Sequence, residues 1–181
     1  KFEFNYRKVI GKLNFLEKCT RTDIAYAVHQ CARFCEDPRE SHVEALMYLG
    51  RYLKGTRNQG IILDPDVTQS LAVWADADFS GNWVRKTAEL DPSTAKSRSG
   101  FMIMLSGCPV TWSSKLQTQI ALSSCEAEYI CLSQALREAI PMMTLVQELK
   151  DRDFLDQFSP PKVHCKAFED NSGCVEMATV H

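Results

Sequence analysis

Three carboxylates stand at the ends of three separate hydrophobic patterns. Asp76 closes the apolar run of LAVWADADFSGN, Glu128 opens the helical pattern of ALSSCEAEYICLSQAL, and Asp170 closes the run of VHCKAFEDNSG. Carboxylates gathered from different elements repel one another unless a cation lies between them. A set gathered in this way points to a divalent-metal site and to phosphoryl-transfer chemistry.

Two of the three have an acidic neighbour that competes for the role. In the helix from Ser124, the apolar stripe runs through Cys131 or Leu132, then Ala135, Ala139, Met142, Val146 and Leu149. Four residues back from Leu132 it reaches Glu128, whereas Glu126 lies about 200° around the helix from Glu128. Glu128 therefore faces inward, where a charge is costly unless paired or metal-bound. Glu126 fits the third position of a capping box opened by Ser123. Asp76 and Asp78 share a strand face with Trp74. Asp76 ends the apolar run, while Asp78 meets the Ser80-Gly81-Asn82 turn and suits its organisation. Asp76 is preferred, with Asp78 and Glu126 kept as secondary metal candidates. Asp170 follows Phe168 on one strand face and precedes a helix that it could also cap.

These residues need elements to hold them. Residues 1–58 read as three helices, with stripes at Tyr6-Val9-Ile10-Leu13-Leu16, Ile24-Ala27-Val28-Cys31-Phe34 and Val43-Leu46-Met47-Gly50-Leu53. Thr20 and Asp23 look like a cap for the second, Pro38 suits the first turn of the third, and Gly55 suits its end. Short connections predict a small three-helix bundle. Residues 59–181 change to strand patterns. Ile61–Leu63 reads as a short strand and Leu71–Phe79 as a longer one. Phe101–Leu105 and Val110–Trp112 form a hairpin, and Gln119–Leu122 reads as a further strand. A helix of about 25 residues follows from Ser124, which Pro141 should kink or divide. Val163–Glu169 is the next strand, and a helix begins near Asn171. The order β-β-β-α-β-α is a mixed α/β layout.

Composition narrows the class. The chain has 181 residues, an ordinary 45% apolar fraction and a net charge of −2. No segment has the roughly 20 apolar residues of a membrane helix, and no signal or transit segment is recognisable. Residues 1–60 carry eleven Lys and Arg against seven Asp and Glu; the remainder carries ten against sixteen. A basic first part beside an acidic second part suits nucleic acid on one and metal on the other. Arg51, Lys54 and Arg57, three apart, are candidate phosphate contacts, or else solvated cations complementing a helix dipole. The eight cysteines lack zinc-knuckle spacing. Cys31 and Cys35, with His29 nearby, are read as small core residues, and unpaired buried thiols fit a reducing compartment. No phosphate-binding P-loop, GxSxG or His-Glu-x-x-His is present. His29, His42, His164 and His181 are read as surface or packing residues.

Taken together, YRKVIGKLNFLEKCTRTDIAYAV, ARF, H-x-x-A and RYLKGT, then WADADFSGN, SRSGFMIML, VTWSSKLQTQIALSSCEAEYICLS and EDNSG, resemble the C-terminal part of copia-type LTR retrotransposon polyproteins. The resemblance covers nearly the whole chain. It implies that residues 1–58 are the helical thumb or connection segment that follows a reverse-transcriptase palm. It implies for 59–181 a ribonuclease H-like α/β fold, a mixed five-stranded sheet flanked by helices. The implied activity is endonucleolytic cleavage of RNA in RNA–DNA hybrids by two Mg²⁺ ions, with Mn²⁺ as a substitute, held by Asp76, Glu128 and Asp170. Lys115, Arg85, Lys86, Lys96 and Arg98 are then candidate phosphate contacts. The implied partners are the hybrid and the polymerase fingers and palm upstream, with homo-oligomerisation left open. The implied location is the cytoplasm, within a virus-like particle, or the nucleus, and not the secretory route. The chain departs from the pattern in two places. A fourth acidic residue expected downstream is missing, so 59–181 reads as C-terminally incomplete, and the loop from Val84 to Lys96 is longer than usual. The alternative reading is a non-catalytic, degenerate ribonuclease H-like module for nucleic-acid binding or assembly. Another nuclease or an integrase on the same fold is a third.

Overall fold

The computed structural model describes residues 4–86, 88–155, 158, 160 and 162–179. His181 lies outside the described residues. The chain separates into two compact units, Lys1–Ile62 and Leu63–His181, a boundary four residues beyond the 58/59 division drawn from sequence patterns.

The first unit contains α1 (Tyr6–Cys19), a 3-10 turn (Thr22–Ile24), α2 (Ala25–Ala32) and α3 (Glu40–Gly55). The Asn5 side chain caps α1 by accepting from the Lys8 amide at 2.9 Å. The stripes read from the sequence meet in two apolar clusters. Tyr6, Ile10, Cys31 and Leu46 form one; Ile24, Val28 and Leu49 form the other. The expected Thr20–Asp23 cap does not form. Asp23 instead accepts from Arg21 through Nε at 2.9 Å and Nη2 at 2.8 Å, and from the Tyr52 hydroxyl at 2.8 Å. Arg21, itself buried, also reaches the Thr56 carbonyl and hydroxyl. The pair ties the turn before α2 to the end of α3, and Arg21 holds the Asp23 carboxyl below its usual range. His42 is a packing and capping residue. It stacks on Phe34 at 3.8 Å, and its Nδ1 accepts from the Arg39 amide at 3.0 Å.

The second unit follows the expected β-β-β-α-β-α order. It comprises β1 (Leu71–Asp78), β2 (Arg98–Leu105), β3 (Cys108–Leu116), α4 (Ser124–Asp151), β4 (Cys165–Phe168) and α5 (Ser172–Thr179). The described residues form a four-stranded mixed sheet in the order β3-β2-β1-β4, antiparallel except for the parallel β1/β4 pair. Ser106 and Gly107, at φ 51° and 79°, join β2 to β3; two positive φ values in succession match the twist of a tight hairpin. Neither Ile61–Leu63 nor Gln119–Leu122 is a strand, and the last strand is shorter than Val163–Glu169. Short apolar runs of this kind fit strand and irregular backbone alike, because periodicity over three or four residues does not tell them apart. Pro141 does not divide α4, which runs 28 residues through it. Packing of both halves on one core outweighs the lost backbone hydrogen bond.

Alternation along β1 buries Leu71, Val73, Ala75 and Ala77, and leaves Trp74, Asp76 and Asp78 exposed. The buried face of α4 (Ala127, Cys131, Leu132, Ala135, Ala139 and Val146) shares one core with these strand residues and with Ile103. All eight cysteines are free thiols. Among the described residues, no helix is long and apolar enough to cross a membrane.

Candidate metal centre

The parallel β1/β4 register sets the acidic centre. Trp74 pairs with Phe168, and their rings stack at 4.1 Å, 9° from parallel. Two residues beyond each aromatic come Asp76 and Asp170, brought side by side by the same register. Glu128 enters from the second turn of α4. Ser123 caps that helix by accepting from the Glu126 amide at 3.1 Å, and Glu126 Oε2 accepts from the Leu122 amide at 2.7 Å. Glu126 is thereby committed to the cap. One oxygen from each of Asp76, Glu128 and Asp170 lies within 4.8 Å of the others. Asp76 and Asp170 are exposed, whereas Glu128 is only 6% exposed.

Two residues that the sequence reading did not single out lock this geometry. The Cys131 thiol donates to the Asp76 carbonyl at 3.1 Å and to the Gly100 carbonyl at 3.3 Å, pinning α4 to the end of β1. Gln117, 1% exposed, donates from Nε2 to the Ala127 carbonyl at 2.8 Å and to Ser99 Oγ at 3.0 Å, joining β3 and β2 to the same helix turn. Cys131 lies on the apolar stripe of α4 and Gln117 belongs to no period; only the packing of α4 on the sheet gives their polar atoms these partners.

The electrostatics are those of crowded, partly dry carboxylates. Burial, then the charges of Glu169, Asp76 and Asp170, push the Glu128 carboxyl up to about 7; the Ala77 amide pulls the other way. Glu128 Oε2 is buried with no hydrogen-bond partner. Burial and the charges of Asp170 and Asp76 also raise Glu169. Glu169, which precedes the motif residue Asp170, thus adds its charge to the field of the centre while lying outside the group of three.

Asp78 lies outside the group of three. A Cβ on Gly81 would sit 2.1 Å from both Asp78 carboxylate oxygens, so Asp78 packs directly on the glycine of the following turn, as the turn reading anticipated. Arg98 corrects the expectation of a phosphate contact. It is 4% exposed and its Nη1 donates to Ser114, because its strand position carries it into the sheet rather than to solvent. Lys115 is exposed on β3, and Arg51, Lys54 and Arg57 are exposed at the end of α3. The Arg51 guanidinium lies over the Tyr48 ring at 5.5 Å.

Known proteins are similar to this chain over most of its length. The chain is 36% identical over 160 residues to a retrovirus-related Pol polyprotein from transposon RE1 of Arabidopsis thaliana, covering 88% of this chain. It is 37% identical over 147 residues, 80% of this chain, to the corresponding polyprotein from transposon TNT 1-94 of Nicotiana tabacum. The chain spans about one tenth of the length of each of these polyproteins, 10% in both cases. It is also 36% identical to the secreted RxLR effector protein 161 of Plasmopara viticola, over 75% of this chain and 89% of that protein. No family model and no solved structure matches the chain. Sequence identity over most of the chain and the ordered motifs together assign it: the chain belongs to the Pol polyproteins of copia-type retrotransposons.

Proposed function

We propose that the second unit is a ribonuclease H-like module whose centre of Asp76, Glu128 and Asp170 supports metal-dependent cleavage of the RNA strand of RNA–DNA hybrids. The observation that carries this reading is the meeting of three carboxylates from β1, α4 and the end of β4 within 4.8 Å. A buried, unpartnered Glu128 oxygen is among them.

The residues present fit Mg²⁺ or Mn²⁺. All three donors are hard carboxylate oxygens, the kind these ions take. An ionised Glu128 at this depth is tolerable only beside positive charge. When bound, divalent cations would activate the attacking water and neutralise the leaving 3′ oxygen. The chain's own contribution is positioning. Asp76 and Asp170 present their carboxylates on the exposed side, where a scissile phosphate can approach. Glu128 anchors the set from the buried side, held by the Cys131 and Gln117 contacts to the sheet end. Hybrid recognition would use backbone geometry and 2′-hydroxyls rather than base sequence. Lys115 on the second unit, and Arg51, Lys54 and Arg57 on the first, are available for phosphates. Such an enzyme would act with the polymerase of the same polyprotein, in the cytoplasm within a virus-like particle or in the nucleus.

A second reading, a non-catalytic module, is favoured by one observation: a similar stretch makes up 89% of the effector relative, which bears no polyprotein name. The deciding assay is cleavage of a labelled RNA–DNA hybrid with Mg²⁺ or Mn²⁺, by the chain alone and within a longer Pol polypeptide, each with an Asp76→Asn control. Cleavage of the RNA strand alone, lost in the control, is the expected result. A folded longer polypeptide that leaves the hybrid intact with either ion refutes the catalytic reading.

A further inference from the structure

A fourth carboxylate, which the motifs do not assign, adds its charge to the field of the centre. Consecutive residues of an extended chain turn to opposite sides, so Asp170 stays with exposed Phe168 while Glu169 turns to the other side, toward α4. Its burial agrees: Glu169 is half-buried and Asp170 is exposed. Glu169 Oε1 accepts from the Asn171 amide at 3.2 Å, while Oε2 is buried without a hydrogen-bond partner. Glu128 Oε2 is in the same state. The Glu169 charge acts on Glu128 more strongly than that of Asp76 or Asp170. Two carboxylates, each with a buried oxygen that has no donor, form a site whose folding cost is relieved by protonation, by positive charge or by its bound water. Glu128, more than nine-tenths buried, is aimed into the same cluster as Asp76 and Asp170.

We propose that Glu169 is a further carboxylate of this centre, acting on the bound cation through its retained waters from the half-buried side, while Asp170 stands on the exposed side. The inference rests on the divalent-cation reading above. It concerns a residue of this chain distinct from any downstream acid. Glu169 lies outside the set of oxygens within 4.8 Å, so it acts through the waters that Mg²⁺ and Mn²⁺ retain, as outer partners do in metal sites.

The test is titration of the metal-free 181-residue chain with Mn²⁺ alone, followed by the electron paramagnetic resonance of free Mn²⁺ and by calorimetry. The proteins compared are wild type, Glu169→Gln, Glu169→Asp and Asp76→Asn. Metal-free thermal unfolding is read by tryptophan fluorescence. Glu169→Gln should bind Mn²⁺ about tenfold or more weakly, with a metal-free melting temperature equal to or above wild type. Glu169→Asp should recover part of the affinity, and it replaces the Gln variant should that one not fold. Affinity of Glu169→Gln within about twofold of wild type, while Asp76→Asn loses binding, overturns the role of Glu169 and leaves the cation centre standing. Absence of Mn²⁺ binding by folded wild type overturns the cation centre and Glu169's role together.

Discussion

Glu128→Gln should stabilise the metal-free protein, and the gain should grow with pH. In the folded chain the Glu128 carboxyl rises from its ordinary 4.5 to about 7, chiefly through burial and then through Glu169 and Asp76. A raised carboxyl binds its proton more tightly folded than unfolded. Its effect on stability is therefore nil below about pH 4.5 and increasingly unfavourable as pH rises toward 7. Above about pH 7 the penalty is constant, near 3 kcal/mol at 1.36 kcal/mol per pH unit, of which about 2.5 kcal/mol develops between pH 5 and pH 8. Glutamine keeps the shape without the charge, so the difference between variant and wild type reports Glu128 together with its coupling to Glu169, Asp76 and Asp170. The assay is urea unfolding followed by tryptophan fluorescence. Trp74, Trp83 and Trp112, the three tryptophans of the chain, all lie in the second unit, so the signal reports that unit alone. Saturating Mn²⁺ should reverse the wild-type loss, since a ligand at a hundred times its dissociation constant stabilises by about 2.7 kcal/mol, and should leave Glu128→Gln much less affected. Wild type and variant running parallel from pH 5 to pH 8 would refute the argument that Glu128 is held dry among like charges.

Three other substitutions test the elements that hold the centre and the first unit. Gly81→Ala should cost less than about 1 kcal/mol, because the exposed Asp78 carboxylate can swing away from the new Cβ; urea unfolding followed by tryptophan fluorescence checks it, and a larger loss would show that Asp78 is fixed on the turn. Pro141→Ala should stabilise the second unit by about 1–3 kcal/mol by restoring an amide to the interior of α4, measured in the same fluorescence-detected unfolding. Arg21→Ala should destabilise the first unit by about 2 kcal/mol, because Asp23 and the Thr56 carbonyl lose a charged donor. The loss should appear in the helical circular dichroism and not in the tryptophan signal.

The helical stripes and the strand order were legible because burial imposes periods of 3.6 and 2 that a sequence displays directly. The choice of Glu128 over Glu126 came from the same source: one continues the apolar stripe and the other fits a cap, and each occupies that place in the structure. Short runs were less legible. Ile61–Leu63 and Gln119–Leu122 have strand composition, yet runs of three or four residues show too little periodicity to separate a strand from irregular backbone. The Thr20–Asp23 cap failed for a similar reason, since Arg21 and Tyr52 compete for the same carboxylate across the fold.

The sequence by itself determined the family, the order of the elements and the identity of three acidic residues, because motifs, periodicity and charge are local properties. Tertiary structure alone decided the rest. It drew Asp76, Glu128 and Asp170 within 4.8 Å, added Glu169 to their field and buried Arg98 away from any phosphate. The stacking of Trp74 on Phe168 and the crossing of α4 over the sheet end set those outcomes, and distances between residues far apart in the chain exist only once such contacts have formed.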